Sequence, residues 1–189
     1  SAHDIAQNLH ENGALVTMVQ RSPTLVVSVS PGAQMYDSIL LTDGPPLEDR
    51  DLYNVGTPLE QMKVSHRLLT DRVRKLDKKL LDGLSGAGFR LDFGENGTGW
   101  PLKYRTRGGG YYFNIGCSDY IISGEIGLIQ YDDIRTFTSL GVTMQDGTNY
   151  LADMVVLATG YYGQEMSVRE IFGEKVADRI GPIWGFGSG

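Results

Sequence analysis

The chain has 189 residues, 41% of them hydrophobic and 21% charged, which is enough for one sizeable core and ordinary for a soluble globular protein. A formal net charge of -6 excludes the basic footprint of a nucleic-acid binder. A single cysteine excludes an internal disulfide, and no apolar run is long enough to span a membrane, so a cytoplasmic setting is expected with no membrane partner.

Ser1 to Asn12 reads as a helix, with Ile5, Ala6 and Leu9 at helical spacing, Asp4 in the first turn and Gly13 as the stop. Leu15 to Gln20 is a short apolar, β-branched run that suits a buried parallel strand, broken by Arg21-Ser22-Pro23. Thr24 to Val29 is a second extended run. Residues 34–55 carry Pro45-Pro46 and an acid cluster, and read as a surface excursion. Thr57-Pro58 is a helix start, with threonine as N-cap and proline in the first turn, opening a helical pattern that continues to about Leu84.

Phe89 to Phe93 is a brief extended piece, and Gly94 to Gly110 reads as a glycine-rich loop around Trp100-Pro101. Tyr111 to Ile115 is a strand and Ser118 to Ser123 a short helix closed by Gly124. Ile126 to Tyr131, Ile134 to Ser139 and Gly141 to Met144 have the spacing of an antiparallel meander, with a turn at Asp146-Gly147. Asp153 to Leu157 reads as another buried strand running into Ala158-Thr159-Gly160. One or two short helices are expected within Met166 to Ile180. These elements predict an α/β fold: a three-layer, Rossmann-like domain with a parallel sheet and an inserted antiparallel β-meander. Its expected limits are 1–160, with a helical and loop insertion at about 34–110, followed by a linker over 161–189.

Three segments carry a resemblance. The opening SAHDIAQNLHENGALVTMVQRSPT resembles the NADPH-binding segment of class B flavin-dependent monooxygenases, the flavin-containing and Baeyer–Villiger-like enzymes. The segment Val155-Val156-Leu157-Ala158-Thr159-Gly160-Tyr161 is similar to the stretch by which those enzymes return to their FAD domain. Arg107 to Leu128 also looks like the family. The resemblance implies that Ser1 and Ala2 end the dinucleotide fingerprint, where a small residue lets the helix approach the strand and free N–H groups face the pyrophosphate. It implies that Arg21, at the strand end about twenty residues on, pairs with the 2′-phosphate of NADP, aided by Ser22 and Thr24. Ala158, Thr159 and Gly160 would permit close approach of cofactor or backbone.

The implied parent reaction uses NADPH to reduce FAD, and O2 with reduced flavin to oxygenate a small-molecule substrate at nitrogen, sulfur or a carbonyl. The family's first fingerprint glycines with their strand, its FAD fingerprint and its Phe-x-Gly-x-x-x-His signature do not occur here, and no catalytic residue is assigned. The expectation is therefore a portion of such an enzyme, inactive by itself, with a homodimer through unpaired sheet edges as its possible assembly. The alternatives are a non-catalytic nucleotide-binding or assembly module, and the NAD(P)H domain of another flavoprotein oxidoreductase; a disulfide-reductase relative is disfavoured by Arg21 and by the lack of a redox cysteine pair.

The remaining reactive residues suggest no second chemistry. His3, His10 and His66 are scattered and form no metal motif; His3, beside the expected pyrophosphate site, reads as a surface histidine, with contact to the cofactor as the alternative. The basic run from Arg67 to Lys79 is interleaved with acids and reads as a solvated helix face. Cys117 has no base at a readable spacing and is expected to be a small core residue.

Overall fold

The computed structural model describes residues 1–32 and 44–186. Helix α1 (Ala2–Glu11) forms as its apolar spacing predicts, and Gly13 ends it at φ +88°, a conformation that costs glycine little. Strand β1 (Thr17–Gln20) follows. Its partner is β4 (Gly127–Gln130), parallel and in register from Thr17 opposite Gly127 to Gln20 opposite Gln130. Strand β2 (Leu25–Ser28) pairs in parallel with β3 (Tyr111–Asn114) and leads into a short helical turn, α2 (Val29–Gly32), and Thr24 makes an isolated parallel bridge to Leu91.

Gln20 joins these two ladders. Its buried side-chain amide donates to the Arg90 carbonyl at 2.9 Å and its carbonyl accepts from the Arg90 N–H at 2.9 Å, so the side chain does what a neighbouring strand would do.

The β2–β3 ladder is buried on both faces, as the apolar run Leu25-Val26-Val27 requires. On one face Val26 and Tyr112 pack with Ala6 of α1, with Leu84, and with Cys117 and Ile121. These last belong to α5 (Lys78–Gly86) and α7 (Cys117–Ser123). On the other face Leu25, Val27, Tyr111 and Phe113 pack with Leu69, Val73 and Trp100. Those come from α4 (Leu59–Leu76) and α6 (Gly99–Arg107). Each fully buried aliphatic side chain contributes roughly 1.5–3 kcal/mol, so this double-sided ladder is the main source of stability. The chain is thus a mixed α/β protein with helices on both faces of a parallel ladder.

Strands β5 (Ile134–Thr138), β6 (Gly141–Met144) and β7 (Asn149–Leu151) form a separate antiparallel sheet over a small core of Ile129, Val142 and Met144. Its β6–β7 turn uses Gly147 at φ +90° and an Asp146 carboxylate that accepts from the Thr148 N–H at 2.8 Å. Helices α8 (Gln164–Phe172) and α9 (Glu174–Ile180) confirm two short helices near the end and are tied together by Arg169, which binds Glu174 and Asp178.

Several expectations are corrected. Leu15 is fully exposed and β1 begins only at Thr17, with Val19 exposed as well, so this strand is not wholly buried. Thr57 closes a preceding helix, α3 (Leu47–Gly56), and donates to the Tyr53 carbonyl, while Pro58 takes the N-cap position of α4. Of the expected excursion, residues 34–43 lie outside the described residues, and α3 has no buried residue.

The long helix expected up to Leu84 breaks at Asp77. That residue is 5% exposed, and its carboxylate accepts from the Ser28 N–H at 2.9 Å, satisfying the backbone where β2 ends. The expected loop around Trp100-Pro101 is α6, with Pro101 in its first turn where a missing N–H costs nothing. Strand β4 belongs with β1, not with the meander, whose third strand is β7. Asp153 to Leu157 is no strand: Met154, Val155, Val156 and Leu157 are exposed, and no described strand runs beside them to complete a ladder. No helix among the described residues is long and apolar enough to cross a membrane.

Candidate functional site

Helix α1 and strand β1 are connected by a short turn, and Ala6, Val16 and Met18 share one core cluster. The chain therefore turns back after the helix, and Arg21 lies at the far end of the strand. In the first turn of α1, the His3 ring centroid lies 5.8 Å from that of Phe89, the neighbour of the Arg90 that binds Gln20.

At this end Arg21 is exposed just beyond the last residue of β1, and its Nη2 donates to the Thr159 carbonyl at 3.3 Å. The contact joins two of the three sequence-predicted segments. Ala158, Thr159 and Gly160 are exposed, and Gly160 turns the chain at φ +89°. Ser22 is exposed. Thr24 is partly buried, and its hydroxyl donates to the Ser22 carbonyl at 3.2 Å, so its proton is committed to the turn. Ser1 occupies the N-cap position of α1 without a side-chain cap, its ammonium 2.8 Å from Asp4, and Ala2 follows partly buried.

Arg90 carries no local sequence signal, yet it stands at the same tip. Its Nη1 lies 2.8 Å from the Asp132 carboxylate, and its Nη2 points at the Gln20 and Arg21 carbonyls at 3.5 and 3.4 Å. Its segment is also held by Lys103, only 4% exposed, which binds Asp92. Burial lowers the affinity of Lys103 for its proton, and Asp92 works against that. For Asp92, burial is outweighed by the bonds from Lys103 and the Gly94 N–H, so its carboxyl titrates below its ordinary value.

His3 is not at the surface. It is 8% exposed and stacks on Tyr112 at 4.1 Å with an interplanar angle of 9°. Burial, helped by the Ser1 ammonium, pushes its pKa down to about 4, so it is neutral at neutral pH and offers no cation to a phosphate. Burial also lowers the pKa of His66, with Arg105 adding to the effect. Cys117 is fully buried, and burial pushes its thiol up to about 11, which removes nucleophilic character.

The basic run follows the solvent-facing side of α4 and α5. Arg74, Lys75 and Lys78 line an open groove of about 580 Å³ together with Asp71 and Asp82. Lys78 pairs with Asp82, and the Arg74 guanidinium lies 4.2 Å from the centre of the Phe93 ring. No grouping suited to a metal ion occurs among the described residues.

The tip of β1 thus combines an exposed guanidinium at the carboxyl end of a parallel strand with a second arginine whose charge is balanced by an acid. Such a tip suits a phosphorylated ligand. No protein-family model matches the chain, and no curated protein matches its sequence.

Proposed function

We propose that the chain is the NADPH-holding portion of an FAD-dependent monooxygenase that oxygenates a small organic substrate at nitrogen, sulfur or a carbonyl. One observation carries this reading. Arg21 and Thr159, 138 residues apart in sequence and each belonging to a segment that resembles the family, meet through a hydrogen bond at the end of β1. The donor set fits NADP: a single bond to a carbonyl leaves further guanidinium N–H groups of Arg21 for a 2′-phosphate, in the fork geometry that phosphates favour. NADPH would supply the hydride. The chain's own share is to hold the phosphates at Arg21 and at the start of α1, and so to orient the nicotinamide. No described residue is assigned to FAD, and no step through flavin is derived.

A second reading, a nucleotide-binding or assembly module without catalysis, is favoured by the exposed run Met154 to Leu157 and by Tyr161 and Tyr162 beside it. Calorimetric titration with NADP⁺ and NAD⁺ tests what both readings share. Preferential NADP⁺ binding, reduced by about tenfold or more in Arg21→Ala, is the expected result. Equal affinity for the two nucleotides, or a preference that survives the substitution, would overturn Arg21 as the clamp. Flavin absorbance in the purified parent protein separates the enzyme from the module.

A further inference from the structure

Asp132 presents a puzzle for a phosphate site. It lies in the short 3₁₀ turn Tyr131–Asp133 directly after β4, and the last residue of β4, Gln130, is opposite Gln20 in the parallel ladder. The turn therefore puts a carboxylate at the same tip as Arg21. An uncompensated acid there suits a ribose hydroxyl and repels a phosphate, which is how nucleotide sites of this kind select NAD.

Arg90 removes the conflict. Its Nη1 pairs with Asp132 at 2.8 Å, while its Nη2 reaches the carbonyls of Gln20 and Arg21. With Nη1 and Nη2 engaged by protein acceptors and Nε buried away from solvent, Arg90 is not the group that grips a ligand. Its backbone is held independently of its side chain, through both bonds to the Gln20 amide and through the bond from the Thr24 N–H to its carbonyl at 3.1 Å. A change of the side chain alone thus leaves the chain path anchored.

We propose that Arg90 is a positioning and specificity-determining residue: by neutralising Asp132 and fixing the carbonyls of Gln20 and Arg21, it makes the tip selective for a 2′-phosphorylated dinucleotide. The proposal rests on the NADPH reading and extends it to a residue that touches no ligand. Because Asp132 is 68% exposed, solvent screens the effect, and a change in selectivity of roughly five- to tenfold is expected at low ionic strength.

The test is titration of the full chain, and of Arg90→Gln, Arg90→Lys, Asp132→Asn and the double variant Arg90→Gln/Asp132→Asn, with NADP⁺ and NAD⁺. Arg90→Gln is expected to lose roughly five- to tenfold in preference for NADP⁺ while NAD⁺ affinity stays unchanged, a split that general loss of structure does not produce. Asp132→Asn and Arg90→Lys keep the preference, and the double variant recovers most of it. Full preference in Arg90→Gln, equal weakening of both nucleotides, or no recovery in the double variant overturns the proposal and leaves the NADPH reading intact. A wild-type chain that does not prefer NADP⁺ overturns the reading itself, and this proposal with it.

Discussion

His3 should make the fold sensitive to mild acid, by an amount that follows from its burial. In the unfolded chain it titrates at its ordinary value of 6.5, whereas in the fold its pKa is lowered to about 4. The neutral ring is therefore the native form. The stability it permits is fully present above pH 6.5 and is lost as the pH falls from there toward 4. Linkage over that interval gives a loss of about 2 kcal/mol between pH 7.5 and pH 5. Because His3 is 8% exposed, solvent screening takes little from this figure. With a urea slope of roughly 2 kcal/mol per M, the unfolding midpoint should drop by about 1 M over that range.

The comparison is with His3→Phe, which keeps a ring against Tyr112 and removes a buried Nε2 that has no hydrogen-bond partner. Urea unfolding of both proteins at pH 7.5, 6 and 5 should show the gap between them widening by about 2 kcal/mol in favour of the variant. His66, whose pKa is also lowered, contributes to both proteins and cancels in the difference. Curves that fall in parallel would refute the reasoning, because they would mean that His3 is either solvated in the native state or paired when protonated.

Two further predictions concern other parts of the fold. Gly99 has φ +72°, and a Cβ there would overlap the Thr70 hydroxyl of α4, so Gly99→Ala should destabilise by about 2–4 kcal/mol; Gly97→Ala, at φ +75° with open space around the added carbon, should cost only about 1 kcal/mol. Equal midpoints for the two variants in urea would rule out the close α4–α6 approach. Cys117, fully buried with its thiol raised to about 11, should resist a thiol-specific disulfide reagent at pH 8 until the chain unfolds, and rapid native labelling would contradict that burial.

The elements legible in the sequence are those whose causes are local. α1, β2, β3 and α7 each combine apolar spacing with a nearby turn residue, and Gly13 and Gly124 end the two helices at positive φ. The elements that local sequence does not reveal owe their form to partners far along the chain. Asp77 interrupts a continuous helical pattern because its carboxylate is needed by Ser28, 49 residues away. β4 looks like a meander strand until β1 claims it, since period-two patterning does not say which strand will be the neighbour. Met154 to Leu157 has a strand's composition without a strand's neighbour, and a ladder needs both.

The candidate site divides the same way. Arg21 was visible because it follows a strand at a meaningful distance from a helix start. Arg90 was invisible because its role depends on Gln20, 70 residues before it, and on Asp132, 42 residues after it. The burial of His3 is hidden for a related reason: one histidine in an amphipathic helix does not reveal whether its face meets solvent or Tyr112. Sequence spacing thus locates the strand tip that would receive a phosphate. Under the NADPH proposal, whether that tip accepts one would be set by a charge balance among Arg21, Arg90 and Asp132 that only the folded chain assembles.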